Sequence, residues 1–196
     1  MSTRERILDT ALRLFNETGT AAVSTNHIAQ ALGISPGNLY YHFRNKEEII
    51  RALFERLFAL WDEGGSLPAD RPATLEDLQQ VVGGSYSLLW EYRFVYRELV
   101  ALLRHDELLR RRWLEVRVRG FEGFFALIDA FRAAGVLRLP DDPAVLPRLA
   151  ELVWLISEFW LARVEVSGET VDLARMDHGV ALILQVLDPF VVDQAA

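Results

Sequence analysis

The stretch Ser24-Thr-Asn-His-Ile-Ala-Gln-Ala-Leu-Gly-Ile-Ser-Pro-Gly-Asn-Leu-Tyr-Tyr-His-Phe-Arg-Asn-Lys46 decides the reading of this 196-residue chain. Ser24 precedes an apolar set at helical spacing, Ile28, Ala29 and Leu32, and Gly33 ends it where a short turn demands left-handed backbone. Ser35-Pro36 opens a second short helix, with Ser as N-cap and Pro at the first helical position, where its missing N–H is no loss. Two short helices joined by a tight Gly-containing turn make a helix-turn-helix. Ile28, Leu32, Ile34, Leu39 and Phe43 are its expected core, with the small Ala29 where the helices cross. Gly37, Asn38, Tyr40, Tyr41 and His42 are left near the outer face of the second helix, and such a helix fits the DNA major groove.

The pattern Ile-Ala-x-x-x-Gly-Ile-Ser-x-Gly-x-Leu-Tyr-x-His-Phe-x-x-Lys runs without a gap from Ile28 to Lys46. In it the chain resembles the TetR/AcrR-type bacterial transcriptional regulators, over about residues 3–62. The resemblance implies that Thr25, Tyr41, His42 and Lys46 contact DNA phosphates. It implies that Ser35, Pro36, Gly37, Asn38 and Tyr40 face the bases or their sugar-phosphate rim. The length near 200, the all-helical plan and the long C-terminal helices agree with the same family.

Around this segment, helical periodicity dominates. Ser2-x-x-Glu5 reads as a capping box before Ile7, Leu8, Ala11, Leu12 and Phe15, with Gly19 as the stop. A helix over about Lys46–Glu63 buries Ile49, Ile50, Leu53, Phe54, Leu57 and Phe58. Gly64-Gly65-Ser66-Leu67-Pro68-Ala69-Asp70-Arg71-Pro72 is the clearest linker, and Gly64-Gly65 a hinge. Five more helices are expected at roughly 74–90, 92–103, 106–134, 144–165 and 170–188. The alternation in Trp113–Arg119 could pass for a strand, but an isolated strand has no partner here, so helix is preferred. The fold class is therefore all-α, about nine helices: a helix-turn-helix domain over 1–62 and a ligand-binding and dimerisation domain over 63–196.

Composition narrows the function. The chain carries 21 Lys and Arg against 28 Asp and Glu, a net charge of −7, with 51% apolar residues and no Cys. Disorder, disulfides and thiolate chemistry are excluded. No apolar run approaches the 18 or so residues of a membrane span, and the N-terminus is no secretory signal, so a cytoplasmic protein is expected. Residues 1–46 are nonetheless net positive, +2, while the remainder carries −9, so the polyanion-binding end is the first one. His27, His42, His105 and His178 offer no i, i+4 pair for a metal, and no nucleophile elbow or phosphate loop is present. Neither a cofactor nor catalysis is expected.

The second part is rich in aromatics, and Trp and Tyr line pockets well because their polar ends need partners. Trp61, Tyr86, Trp90, Trp113, Phe121, Phe125 and Trp154 are the expected ligand site. Arg104, Arg110, Arg111, Arg112, Arg117 and Arg119 form either a solvated, ion-paired helix face or a basic rim for an anionic ligand. The last two helices are apolar too far round for one-sided burial. Leu152, Leu155, Ile156, Phe159, Val180, Ile183, Leu184 and Leu187 are the expected homodimer interface. Together these features read as a repressor released from palindromic double-stranded operator DNA by a small hydrophobic effector, one that carries an anionic group where the arginines form a rim. A helical small-molecule-binding protein with a vestigial DNA-reading face is the alternative.

Overall fold

The computed structural model describes residues 1–64 and 67–192. Among these, nine α-helices and a closing 3-10 turn account for the regular structure, and an isolated bridge between Leu137 and Val191 is the one β-type pairing. Gly65 of the expected Gly64-Gly65 hinge lies outside the described residues, as does Ser66 of the linker.

Helix α1 (Thr3–Thr18) starts where the Ser2 hydroxyl accepts the Glu5 N–H, and ends at Gly19 with φ of +81°. Helix α2 (Thr25–Leu32) is bounded by a capping box of Ser24 and His27 and by Gly33 in the left-handed conformation, φ +70°. Helix α3 (Pro36–His42) follows, with Ser35 accepting the Asn38 N–H and Pro36 in its first turn. Helix α4 (Lys46–Gly64) is started by Asn45, whose side chain accepts the Glu48 N–H at 2.9 Å, while the Glu48 carboxylate accepts the Arg44 N–H at 2.8 Å. Ile7, Leu8, Ala11, Phe15, Ile28, Ala29, Leu39, Phe43, Ile49 and Leu53 are buried together; Leu32 and Ile34 are half-buried against them.

The larger part comprises α5 (Leu75–Glu91), α6 (Arg93–His105), α7 (Glu107–Ala133), α8 (Val145–Val166) and α9 (Leu173–Leu187). The Trp113–Arg119 stretch is helical: Trp113 and Val116 point inward while Leu114 and Val118 stand in solvent. The last helix begins at Leu173 rather than near 170 because the Asp172 side chain accepts the Arg175 N–H and caps it. Arg71, at the end of the linker, grips Asp77 through two bonds of 2.6 and 2.7 Å, and the Thr74 hydroxyl donates to the same carboxylate. The Arg71 guanidinium, helped by Thr74, holds the Asp77 carboxyl well below the usual carboxylate range. Helix α9 packs on α5 and α8, and Gly179 sets the closeness: a Cβ there would lie 2.3 Å from the Tyr86 ring and 2.8 Å from Trp160 Nε1.

Two seams attach the first three helices to the rest. One is α4 itself. The other is a polar seam around the buried Asn16, whose amide donates to the Glu91 carbonyl at 2.7 Å and accepts the Phe94 N–H at 3.0 Å. Those two backbone groups sit at the α5–α6 corner. Asn16→Ala leaves both without a partner, and stability should fall by about 2–3 kcal/mol, seen as a melting midpoint several degrees lower; an unchanged midpoint would show that water replaces the amide.

Candidate nucleic-acid interface and effector region

The outer side of α3 is free of intramolecular cover. Ser35, Pro36, Gly37 and Asn38 are exposed, Tyr40 is 47% exposed and Tyr41 85%, while Leu39 between them is wholly buried. Burying Leu39 and Phe43 therefore aims the intervening tyrosines outward. Thr25 Oγ1 and the Tyr40 hydroxyl are hydrogen-bonded at 3.0 Å, which ties the start of α2 to the exposed side of α3. Tyr41 and the half-buried His42 meet edge to face at 5.1 Å. The Lys46 ammonium, at the start of α4, donates to the Thr20 carbonyl at 2.6 Å. Arg4, which sequence spacing gave no reason to single out, lies over the Phe43 ring at 5.0 Å and adds a cation beside the end of α3. The expected DNA-contacting residues thus share one end of the molecule, with polar tips on a rigid apolar base. Such a surface can seat a short helix in a groove while flanking groups hold phosphates.

Residues 7–53 match the family described as bacterial regulatory proteins, tetR family, and residues 61–196 match one described as a bacterial transcriptional repressor. The chain belongs to the TetR family. It is 34% identical over 151 residues to the HTH-type transcriptional repressor KstR2 of Rhodococcus jostii, covering 69% of this chain and 74% of that one. A TetR-family transcriptional regulator from Marinobacter aquaeolei superposes with a TM-score of 0.88 at 35% identity, over 99% of this chain and 93% of the other. A structure of SmeT, the repressor of the Stenotrophomonas maltophilia multidrug efflux pump SmeDEF, shares the fold with a TM-score of 0.67 at 24% identity, over 99% of this chain and 93% of that one. The protein is accordingly a DNA-binding transcriptional regulator of a family of regulators, not of enzymes. Among the described residues no helix is long and apolar enough to cross a membrane.

In this TetR-family chain the aromatic residues expected to form one ligand site are spread over four places. Trp113 fills the seam between α7 and α4, with ring centroids 6.0 Å from Phe54, 6.0 Å from Phe58 and 5.6 Å from Trp61. Phe121 stacks on Trp154 at 4.7 Å between α7 and α8, and Phe125 lies 6.2 Å from Phe121. Tyr86 is buried against α9, with its hydroxyl beside Ser157 of α8. Trp90, covered by the Arg93 guanidinium at 4.6 Å, lines an open groove of about 580 Å³ facing Leu12, Arg13 and Asn16 of α1. Trp113 and Phe121 stand eight residues apart on one helix, more than two turns, so their rings meet different neighbours along it.

Of the two readings of the Arg104–Arg119 stretch, the pairs in the structure agree with the ion-paired face. Of the six arginines from Arg104 to Arg119, five have carboxylates within 4.0 Å: Arg110 and Arg111 with Glu107, Arg112 with Glu55 and Glu115, Arg117 with Glu158, and Arg119 with Asp62. At the expected interface, Leu152, Leu155 and Phe159 of α8 are exposed, Leu155 by 55%, and Ile156 is half-buried. Ile183 and Leu187, each 3% exposed, belong instead to the chain's own core, and Val180 and Leu184 are partly buried against it. They fill the gap between α9 and its neighbours, which the sequence pattern could not distinguish from a gap between subunits.

Under the stacked Phe121 and Trp154, the Arg117 guanidinium sits 5.5 Å from each ring and holds Glu158, which is 4% exposed, at 2.9 Å. Burial pushes the Glu158 carboxyl up, against the opposing pull of Arg117. Its folded form thus favours the proton, and its contribution to stability falls as pH rises through the folded pKa. Arg117→Met should destabilise by about 2–3 kcal/mol, less than for a fully enclosed pair because Arg117 is partly exposed. The deficit should shrink as pH falls towards the ordinary carboxylate range, as Glu158 takes up a proton instead of remaining a lone buried charge. A deficit independent of pH would show that packing, not charge, holds this seam.

Proposed function

We propose that this TetR-family regulator is a cytoplasmic repressor acting as a homodimer. Residues 1–62 read operator DNA, and residues 63–196 dimerise and bind a small, largely apolar effector that releases the operator. The observation that carries the reading is the α3 surface: Tyr40 and Tyr41 project into solvent from a helix whose other side, Leu39 and Phe43, is locked in the core. Beside the Thr25 contact of Tyr40 and the His42 contact of Tyr41, both rings keep much of their surface in water, and a groove of bases and phosphates would cover it. In this reading Ser35, Pro36, Gly37, Asn38 and Tyr40 face base edges or their rim, and Thr25, Tyr41, His42 and Lys46 take phosphates. The names of relatives support repression, KstR2 and SmeT both being repressors. Support for an apolar effector comes from the aromatic seams and from a solved complex of SmeT with triclosan. The arginines of α7, already paired, argue for leaving an anionic group out of that description.

The subunit contact follows from α8. Leu152, Leu155 and Phe159 recur at three- and four-residue spacing on its open side, and a two-fold axis would bury the stripe against its own copy. In the dimer the two α3 helices face successive inverted half-sites about one turn of DNA apart.

Two measurements test the proposal. Fluorescence anisotropy with the duplex upstream of the protein's own gene should show specific binding. Asn38→Ala and Tyr40→Ala should each lower discrimination by about 1–3 kcal/mol at one base position; equal weakening on every sequence would remove base reading from this face. Light scattering should give twice the chain mass, and Leu152→Arg with Leu155→Arg should give a folded monomer with much weaker operator binding. A variant that stays dimeric moves the interface elsewhere.

A further inference from the structure

The turn between α1 and α2 is held by a side chain from outside the DNA-reading helices. Glu98 of α6 accepts the Thr20 backbone N–H at 2.9 Å on one carboxylate oxygen and the Thr20 hydroxyl on the other. The approach is close enough that a Cβ on Gly19 would lie 2.8 Å from Glu98 Oε1, at a residue whose φ of +81° already favours glycine. Thr20 is buried, and its carbonyl accepts the Lys46 ammonium at 2.6 Å. One α6 carboxylate thus clamps the residue that holds the Lys46 head. The neighbouring Arg97 donates to the Asn16 carbonyl at 3.3 Å and pairs with Glu165 at the end of α8 at 2.5 Å, so this turn of α6 grips the end of α1 at two points and α8 at a third.

We infer that Glu98 is a positioning residue for DNA binding: through Thr20 it fixes where the Lys46 ammonium stands, and so transmits the position of α6 to a phosphate contact. The inference rests on the reading of Lys46 as a phosphate ligand. An ammonium has three donors; one spent on the Thr20 carbonyl leaves two for phosphate oxygens. A lysine stem is long and flexible, and anchoring its head before DNA arrives removes part of the ordering penalty that binding would otherwise carry. Movement of α6 would withdraw the anchor without any displacement of α3. A carboxylate near the DNA-facing end has a contrary effect available to it, since a negative charge repels phosphate. Simple electrostatics therefore predicts tighter binding when Glu98 is neutralised, and positioning predicts weaker binding. The sign separates the two.

The test uses the full-length protein and the operator duplex across a salt series. Lys46→Ala should flatten the plot of log affinity against log salt by about one unit per subunit, the loss of one phosphate contact. Glu98→Gln should weaken binding about fivefold, the scale of one net hydrogen bond, and shift the slope towards that of Lys46→Ala. Thr20→Val, which removes the clamped hydroxyl, should do the same, and Thr20→Ser, which keeps it, should bind like the wild type. Added to Lys46→Ala, Glu98→Gln should weaken binding no further. Wild-type or tighter binding by Glu98→Gln overturns the inference, as does a loss that persists undiminished beside Lys46→Ala with the slope unaltered. If Glu98→Gln fails to fold, the Thr20→Val and Thr20→Ser pair decides by the same criteria. If Lys46→Ala itself leaves the slope unchanged, it is the phosphate assignment beneath the inference that fails, and the positioning role goes with it.

Discussion

Helix α3 has seven residues, too few to hold a helical backbone by its own hydrogen bonds. Its direction is set by Leu39 and Phe43, both buried, and by the caps at either end of the turn before it, Gly33 and Ser35. That constraint underlies the rest of the structure. A reading helix aimed by apolar burial can expose tyrosines at Tyr40 and Tyr41 without losing its place. Its buried residues share a core with those of α1, α2 and α4, and that core is continuous with the one of α5 to α9. The attachment of these helices to the larger helical part is therefore where control over DNA binding can act.

The attachment has chemically different seams. Along α4 it is aromatic: Phe54, Phe58 and Trp61 meet Trp113 edge-on or tilted, backed by the Arg112–Glu55 and Arg51–Asp106 ion pairs. At the end of α1 it is polar, made by Asn16, Thr20, Arg97 and Glu98. Apolar seams tolerate sliding, since dispersion and burial have little directionality. Hydrogen-bonded seams have discrete partners and break abruptly. Glu165, on the last turn of α8 and bonded to Arg97, gives α8 a direct hold on the polar seam.

Much of the helical plan was legible in the sequence because several boundaries carry a local cause: Ser2, Ser24 and Ser35 as caps, and Gly19 and Gly33 as stops. The exposed residues of α3 were legible for a related reason. In a short motif, spacing alone determines which side chains are buried. The body resisted such reading. Tyr86, Trp113 and Ile183 are apolar at helical spacing whether they face a ligand, a partner or another helix of the same chain, and only the packing of α5, α7 and α9 decides among these. The sequence left open whether the arginines of α7 form a paired face or a rim because the partners Glu55, Asp62 and Glu158 lie 41 to 57 residues away. The Glu98–Thr20 clamp, 78 residues apart in sequence, left no local signal at all.

In the proposed dimer, two copies of α3 held by one two-fold axis read DNA as a pair. Selection from a randomised duplex pool addresses it most directly, since it presumes no operator. The account predicts enrichment of an inverted repeat whose half-sites are centred about one helical turn apart, or a little more. Enrichment of a single unpaired half-site, or no enrichment above the non-specific background, would contradict it.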